Sequence, residues 1–143
     1  MLIRDLLNSK SDILLTVLPD TDMRESAELM IDQSISALVV LSKDGALAGI
    51  LTERDIARYF ASDQGDRKVP VSEAMTSELI TCTPDHEVSE IAKIMSESHI
   101  RHLPVVVDHG VIGVVSIRDI VRYHLADLES QNRTLRELVS ALD

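Results

Sequence analysis

The chain has 143 residues, 45% of them hydrophobic, and a formal net charge of -10 at pH 7, so it can bury a real core within one compact domain. No Lys/Arg run offsets the negative charge, which argues against binding to nucleic acids or anionic membranes but leaves room for an anionic small ligand held by local arginines. The only cysteine, Cys82, excludes an intrachain disulfide and a Cys-rich metal site.

The first predicted element is a short lead-in helix, because residues 1–7 place apolar side chains at helical spacing, as residues 71–75 do later. This opening segment carries an acid and then turns polar, unlike a secretory signal. No apolar run in the chain reaches the roughly 18 residues of a membrane span. With the single cysteine, these features lead us to expect a soluble protein of a reduced, cytoplasmic compartment.

From Pro19 onwards the chain presents the same order of residues twice, about 65 residues apart. The landmarks of the first copy are matched one by one in the second: Pro19-Asp20, Gly49 and Arg54-Asp55-Ile56 against Pro84-Asp85, Gly113 and Arg118-Asp119-Ile120. Such self-similarity indicates two copies of one supersecondary unit, and a unit this small cannot bury its apolar face without a neighbour. We therefore expect the functional site to lie between the copies.

Each copy predicts the order strand, helix, strand, strand, helix, which gives an α/β fold. In the first copy the apolar run 13–18 predicts a buried strand that ends at Pro19, and residues 20–22 offer oxygens to cap a helix. Residues 35–41 and 46–51 flank a polar turn and predict a hairpin. A hydroxyl residue, Thr52 in one copy and Ser116 in the other, then caps a second helix. The polar stretch 62–68 predicts the linker between the copies.

Past Tyr123 the pattern changes to a heptad. One register holds Leu125, Asn132 and Val139, and the other, three residues on, holds Leu128, Leu135 and Leu142. The pattern predicts a helical tail, which either pairs with its equivalent in a second subunit or packs back on its own domain. We thus divide the chain into a first repeat with linker (1–66), a second repeat (67–125) and a helical extension (126–143).

The strongest chemical signal is a hydroxyl-x-x-acid pattern that directly follows a strand in each copy, Thr52 to Asp55 and Ser116 to Asp119. A helix N-terminus favours phosphate, and an aspartate one turn into the helix can accept hydrogen bonds from the two hydroxyls of a ribose. The alternative is a plain capping box. Two matched occurrences, each with an arginine (Arg54 and Arg118) before the aspartate, weaken that alternative.

The second chemical signal is the pair Arg101-His102, which suits a di- or triphosphate, whereas the first copy has Ser36-Ala37 there. This difference predicts two unequal pockets, one basic and one merely small and polar. His99 lies three residues before His102, but the pair lacks a clear third ligand, so we do not expect a metal site. No nucleophile elbow, Walker loop or Gly-rich fingerprint is present, and we expect no catalytic activity.

Three segments give the chain its resemblance to a known family: residues 49–56, 100–106 and 113–119. With these, the chain resembles a tandem pair of cystathionine-β-synthase-type (CBS) domains, a Bateman module, from about residue 3 to residue 125. The resemblance implies an α/β fold of two repeats packed sheet to sheet about a pseudo-twofold axis, and further association into a homodimer. It also implies two clefts between the repeats that bind adenosine derivatives (AMP, ADP, ATP, NAD(H) or S-adenosylmethionine).

In such modules each cleft combines the hydroxyl-x-x-acid of one repeat with strand residues of the other. The resemblance therefore implies one nucleotide-binding set of Ser116, Arg118 and Asp119 with Ile13, Ile35, Ser36 and Ala37, and another of Thr52, Arg54 and Asp55 with Leu79, Ile100, Arg101 and His102. Aspartate would bind the ribose, the hydroxyl and arginine the phosphate, and apolar strand residues the adenine. One departure is Val39, which stands where the second repeat has Pro104, so we expect a different strand edge there.

Two functions remain open at this stage. The first is a non-enzymatic, homodimeric sensor of an adenine nucleotide, with AMP, ATP and NAD(H) as the expected ligands and AMP and NAD(H) as the leading ones. The second is a dimerisation scaffold with vestigial clefts, whose tail docks an unidentified partner protein.

Overall fold

The structure is a computed structural model that describes residues 1–10, 13–62 and 67–142. Its helices are α1 (Ile3–Asn8), α2 (Met23–Gln33), α3 (Glu53–Ala61), α4 (Val71–Ala74), α5 (Val88–Ser98) and α6 (Ile117–Leu142). Its strands are β1 (Thr16–Val17), β2 (Ala37–Leu41), β3 (Leu47–Thr52), β4 (His102–Val107) and β5 (Gly110–Ser116). The predicted α/β class and the doubled order of elements are confirmed. Part of the predicted linker, residues 63–66, lies outside the described residues.

The first repeat forms a three-stranded sheet in the order β1-β2-β3, with β1 parallel to β2 and β2 antiparallel to β3. The hairpin turns at Gly45, whose φ of 86° lies in the left-handed region that glycine adopts without cost. Helix α2 begins after Asp22, whose carboxylate accepts a hydrogen bond from the backbone N–H of Arg24 at 3.2 Å. Strand β1 covers only Thr16–Val17, so the predicted strand over 13–18 was too long.

The second repeat forms the hairpin β4-β5, and the counterpart of β1 is reduced to a single parallel bridge between Cys82 and Val105. The edge of β4 differs from that of β2, as expected from Pro104 in place of Val39. In the first repeat the N–H of Val39 donates to the carbonyl of Leu15 at 3.4 Å, whereas Pro104 has no N–H to donate. The carbonyl of Pro104 instead accepts from the N–H of Cys82 at 3.0 Å.

The lead-in helices are exchanged between the two repeats. Ile3 and Leu6 of α1 are buried in the core of the second repeat, together with Ile91 and Leu103. Val71 of α4 is buried in the core of the first repeat. Full burial of such a side chain contributes about 1.5–3 kcal/mol, so each repeat depends on a helix that precedes the other one along the chain. This exchange holds the two repeats together and places the chain after each lead-in helix beside the opposite repeat.

Helix α6 continues without interruption from the second repeat into the predicted tail. Ile120, in its first turns, is buried in the core of the second repeat. Beyond it the heptad leucines remain in solvent: Leu128 is 59% exposed and Leu135 is 61% exposed. The alternative in which the tail packs back on its own domain is therefore wrong for the described residues. None of the helices in the described ranges is long and apolar enough to cross a membrane.

Candidate functional site

Two clefts lie between the repeats, and they contain all of the site residues predicted from the sequence. Cleft one has a volume of about 380 Å³ and includes Ile13, Ile35, Ser36, Ala37, Ser116, Arg118 and Asp119. Cleft two has a volume of about 550 Å³ and includes Thr52, Arg54, Asp55, Leu79, Ile100, Arg101 and His102. Both volumes lie in the range of small-molecule sites. The grouping within each cleft is the one expected from the sequence; which ligand these residues bind stays a prediction.

Both aspartates cap the helix that carries them. Asp55 Oδ2 accepts from the backbone N–H of Thr52 at 2.9 Å and from its hydroxyl at 3.1 Å. Asp119 Oδ2 accepts from the N–H of Ser116 at 2.8 Å, and the Ser116 hydroxyl accepts from the N–H of Asp119 at 3.1 Å. The capping role considered from the sequence is thus present in both repeats. It does not exclude ligand binding, because a carboxylate has about four acceptor positions and the caps occupy Oδ2.

Each aspartate also receives a side chain from just beyond a lead-in helix, and this contact was not predicted. Lys10, two residues after α1, places Nζ 2.8 Å from Asp119 Oδ2 and also donates to the carbonyl of Val114 at 2.9 Å. Thr76, two residues after α4, places its hydroxyl 3.4 Å from Asp55 Oδ1. The two positions are equivalent in the doubled fold. One cleft therefore holds its aspartate with an ammonium group and the other with a hydroxyl.

The ion pair in cleft one determines the protonation of Asp119. Burial raises the pKa of this carboxyl, but the hydrogen bonds from Lys10 and Ser116 outweigh burial and bring the pKa below its ordinary value of 3.8. The side chains of Lys10 and Asp119 are 17% and 7% exposed, so solvent screens the pair only weakly. Asp119 is consequently a carboxylate at neutral pH, in the form that accepts hydrogen bonds from hydroxyl groups.

His102 forms part of the wall between the two clefts and lines both of them. Its Nε2 lies 2.9 Å from the hydroxyl of Ser36, so this hydrogen bond joins the start of β4 to the residue that precedes β2. Burial lowers the pKa of His102 below its ordinary value, and the nearby carboxylates of Asp119 and Glu53 oppose this effect. The sequence places His102 in the set of cleft two, and the structure adds that it lines cleft one as well.

The prediction that one cleft is basic and the other merely small and polar is wrong. Cleft one contains three cationic side chains, Lys10, Arg118 and Arg122, with the carboxylates of Glu53 and Asp119. Cleft two also contains three cationic side chains, Arg54, Arg58 and Arg101, with the carboxylates of Glu53, Asp55 and Glu78. The prediction compared only Ser36-Ala37 with Arg101-His102. It did not include the cationic side chains of Lys10 and Arg122, which reach cleft one from outside those strands. Cleft one has the greater excess of positive charge.

Of the residues that sequence reasoning missed, some carried a usable signal. Arg58 and Arg122 stand one helical turn after the aspartates at matching positions of the repeat, so the doubled pattern marks them. Arg58 Nη1 lies 3.8 Å from Asp55 Oδ1. Lys10 and Thr76 differ in chemistry, and only the exchange of the lead-in helices brings them to the aspartates. Among the described residues, no group of three or more His, Cys, Asp or Glu side chains is arranged to hold a metal ion.

Comparison with known proteins agrees with this geometry. The sequence matches the CBS domain family over residues 3–62 and 71–126. This chain belongs to the CBS domain family, as a tandem pair. It is 34% identical over 105 residues to the CBS domain-containing protein YhcV of Bacillus subtilis, covering 73% of this chain and 74% of YhcV. The chain spans 22 to 64% of the length of other curated relatives.

Solved structures share the fold. The CBS-domain containing protein ATU1752 of Agrobacterium tumefaciens superposes with a TM-score of 0.80 at 33% identity, covering 87% of this chain and 99% of that one. The CBS domain pair of protein MJ0100 superposes with a TM-score of 0.78 at 31% identity, covering 89% of this chain and 98% of that one. That structure is a complex with 5'-methylthioadenosine and S-adenosyl-L-methionine. A relative with this fold therefore binds adenosyl ligands.

Proposed function

We propose that this CBS domain pair is a non-enzymatic sensor that binds an adenosine-containing ligand in the clefts between its repeats and acts as a homodimer. The observation that carries the proposal is the position of Asp55 and Asp119. Each aspartate lies at the N-terminal end of a helix, in a cleft closed on the other side by strand residues of the opposite repeat. This combination offers a carboxylate for the ribose, and the partial positive charge of a helix N-terminus together with arginine for phosphate. The adenosyl ligands of MJ0100 support the same ligand class.

The apolar part of each cleft suits a nucleobase. Ile13, which is 80% exposed, and the half-buried Ile35 line cleft one, while Leu79, Ile80 and Ile100 line cleft two. An adenine ring packed between such side chains removes apolar area from water, which is favourable at about 25 cal/mol per Å². The clefts thus combine apolar walls with a few polar groups, the usual composition of a ligand site.

Charge suggests that the clefts differ in preference. Cleft one holds three cationic side chains against two carboxylates, whereas cleft two holds three against three. A ligand with more phosphate groups gains more from the excess charge of cleft one, because an arginine or lysine forms strong charge-assisted hydrogen bonds with phosphate oxygens. We therefore assign AMP, ATP or NAD(H) to cleft one first, and the less anionic methylthioadenosine or S-adenosylmethionine to cleft two.

Calorimetric titration tests the proposal with five ligands: AMP, ATP, NAD(H), 5'-methylthioadenosine and S-adenosylmethionine. Asp119→Asn and Asp55→Asn each alter one cleft, and asparagine keeps the helix cap. Loss of a charged acceptor for the ribose hydroxyls is expected to weaken binding in that cleft about 10- to 100-fold. Asp32→Asn, on the exposed face of α2, is the matched control and should leave every titration unchanged.

The proposal fails if none of the five ligands gives binding heat, or if both cleft variants titrate like the wild type. A thermal-shift screen checks the first outcome cheaply. A ligand that binds only the folded state adds about 2.7 kcal/mol of stability at 100 times its dissociation constant.

A second candidate is a scaffold whose clefts are vestigial and whose tail docks a partner protein. The exposed leucines of α6, such as Leu128 and Leu135, favour it. In that case removal of the residues after Leu125 should abolish capture of the partner, and none of the five ligands should bind the intact chain.

A further inference from the structure

From residue 121 to its end, α6 carries an apolar seam that nothing in the described part of the chain covers. At heptad spacing from residue 121 to residue 142, the seam residues are Val121 (51% exposed), Leu125 (56%), Leu128 (59%), Asn132, Leu135 (61%), Val139 (59%) and Leu142 (86%). The opposite face is polar, with Asp127, Arg133 and Glu137. Leu138, which is 58% exposed, borders the seam. A helix that is apolar along one face and extends into solvent is suited to pair with another helix.

We infer that the occupant of this seam is the same segment of a second copy of the chain, and that the two helices form a parallel, in-register, two-stranded coiled coil. This inference names the surface and orientation of the homodimer in the proposed function, and to that extent it rests on the proposed function. It does not depend on what the clefts bind. The seam lies beyond residue 126, where the match to the CBS family ends, for most of its length.

Asn132 determines the orientation. In a parallel, in-register pair, residues of the same heptad position meet, so Asn132 faces Asn132 of the second copy and the two amides can bond to each other. In an antiparallel pair, first-register residues face second-register residues, which here are all valine or leucine. A parallel pair shifted by one heptad would place Asn132 against Leu125 or Val139. Each of these alternatives buries an unpaired amide, which is unfavourable.

The flanking positions are compatible with the parallel pair. In that arrangement His124 of one helix lies beside Glu129 of the other, and Gln131 lies beside Arg136. Neither contact brings two like charges together. The second register holds Leu128, Leu135 and Leu142, and the first holds Leu125, Asn132 and the β-branched Val139. Leucine in the second register with Asn132 and Val139 in the first favours two strands over three or four. The seam is therefore complementary to itself in one orientation and one register.

Disulfide crosslinking of the full-length chain tests orientation and register. Leu142→Cys introduces a thiol on the seam, and Ala141→Cys introduces one on the outward face one residue away. The native thiol can remain in place, because Cys82 is 1% exposed and burial raises its pKa to about 11. We expect Leu142→Cys to form a disulfide-linked dimer at least about tenfold faster than Ala141→Cys, since paired seam thiols meet at high effective concentration.

Two further samples separate the coiled coil from its alternatives. Leu135→Glu added to Leu142→Cys should slow crosslinking to the rate of the Ala141→Cys control, whereas Ser130→Glu, on the outward face, should not. A mixture of Leu125→Cys and Leu142→Cys chains should give no excess of the mixed product, because in the parallel pair these positions are about 26 Å apart along the helix. Excess mixed product would show an antiparallel pair and overturn the inference.

Equal crosslinking at positions 141 and 142, or a wild-type chain that sediments as a monomer at the concentration used, would also overturn it. A monomer with an intact seam would leave a different protein as the occupant. The cysteine variants are then titrated under reducing conditions with the same five ligands: AMP, ATP, NAD(H), 5'-methylthioadenosine and S-adenosylmethionine. Normal nucleotide binding without crosslinking refutes only the coiled coil, and crosslinking without binding refutes only the sensor.

Discussion

Substitution of Lys10 by methionine tests the central contact of cleft one. Lys10 Nζ lies 2.8 Å from Asp119 Oδ2, and the two side chains are 17% and 7% exposed. Removal of one partner from a buried ion pair costs about 3–5 kcal/mol, because the other charge is left without compensation. Asp119 keeps the hydrogen bond from the N–H of Ser116 and borders a cleft, so we expect a smaller loss of about 2 kcal/mol. For a chain of this size that is a decrease in Tm of roughly 5 °C.

The loss of folding stability in Lys10→Met should become smaller as pH falls. In the wild type the pKa of Asp119 is below its ordinary value of 3.8, so the ionised carboxylate stabilises the fold fully above that value and progressively less as pH falls through the lowered pKa. In Lys10→Met, burial raises the pKa of Asp119 with only Ser116 opposing it. The difference in stability between wild type and variant is therefore greatest at neutral pH and narrows as pH falls and Asp119 takes up a proton.

Urea denaturation from pH 7 down to pH 4 measures this difference, with Lys43→Met, on the exposed first hairpin turn, as the control for loss of a lysine charge. A cycle with Asp119→Asn should give a coupling energy of at least about 1 kcal/mol between positions 10 and 119. The reasoning is refuted if Lys10→Met loses no more stability at pH 7 than Lys43→Met, or if its loss grows as pH falls.

Three further predictions concern other parts of the molecule. Gly49→Ala should destabilise the fold by about 1–3 kcal/mol in urea denaturation, because an added Cβ would lie 2.8 Å from the carbonyl oxygen of Thr76, whereas Gly113→Ala meets only a flexible leucine end and should cost less. The wild type should lose stability as pH falls below about 6.5, because His102 takes up a proton in the unfolded chain at a higher pH than in the folded chain. His102→Gln should remove this contribution to the pH dependence of the free energy of unfolding. Asn132→Leu should tighten self-association but give larger or mixed assemblies in sedimentation, because the residue that selects one register is gone.

Most of the fold could be predicted because the same pattern of residues occurs in both repeats. The hairpins, the helices after Thr52 and Ser116 and the helical tail all follow from periodicity and turn residues, and the structure contains them. Strand β1 was overestimated because an apolar run shows that a segment is buried, and does not show how many of its backbone groups find a partner. The exchange of α1 and α4 between the repeats was beyond sequence reasoning. A pattern of apolar residues shows which face of a helix is buried, and it does not show which repeat that face packs against.

The candidate site, like the fold, was predictable only in part. The repeated hydroxyl-x-x-acid pattern located Asp55 and Asp119, and the family resemblance grouped the strand residues that face them. The balance of charge between the clefts was not predictable, because it depends on Lys10, which reaches Asp119 across 109 positions of sequence. A single lysine after a short helix looks like an ordinary surface residue until the helix is placed against the opposite repeat.

Two residues, His102 and Glu53, line both clefts, so under the proposed function we expect ligand binding in one cleft to affect the other. Burial lowers the pKa of His102, the carboxylates of Asp119 and Glu53 oppose this effect, and the ammonium group of Lys10 in cleft one adds to it. A ligand that drew Asp119 away from Lys10 would change the electrostatic field at His102, which also lines cleft two. Because such coupling is reciprocal, a ligand in cleft two would then alter the affinity of cleft one by the same factor. The hydrogen bond between Ser36 and His102 at 2.9 Å joins the two repeats at this shared position, and under the proposed function it is the contact that we expect to carry the coupling.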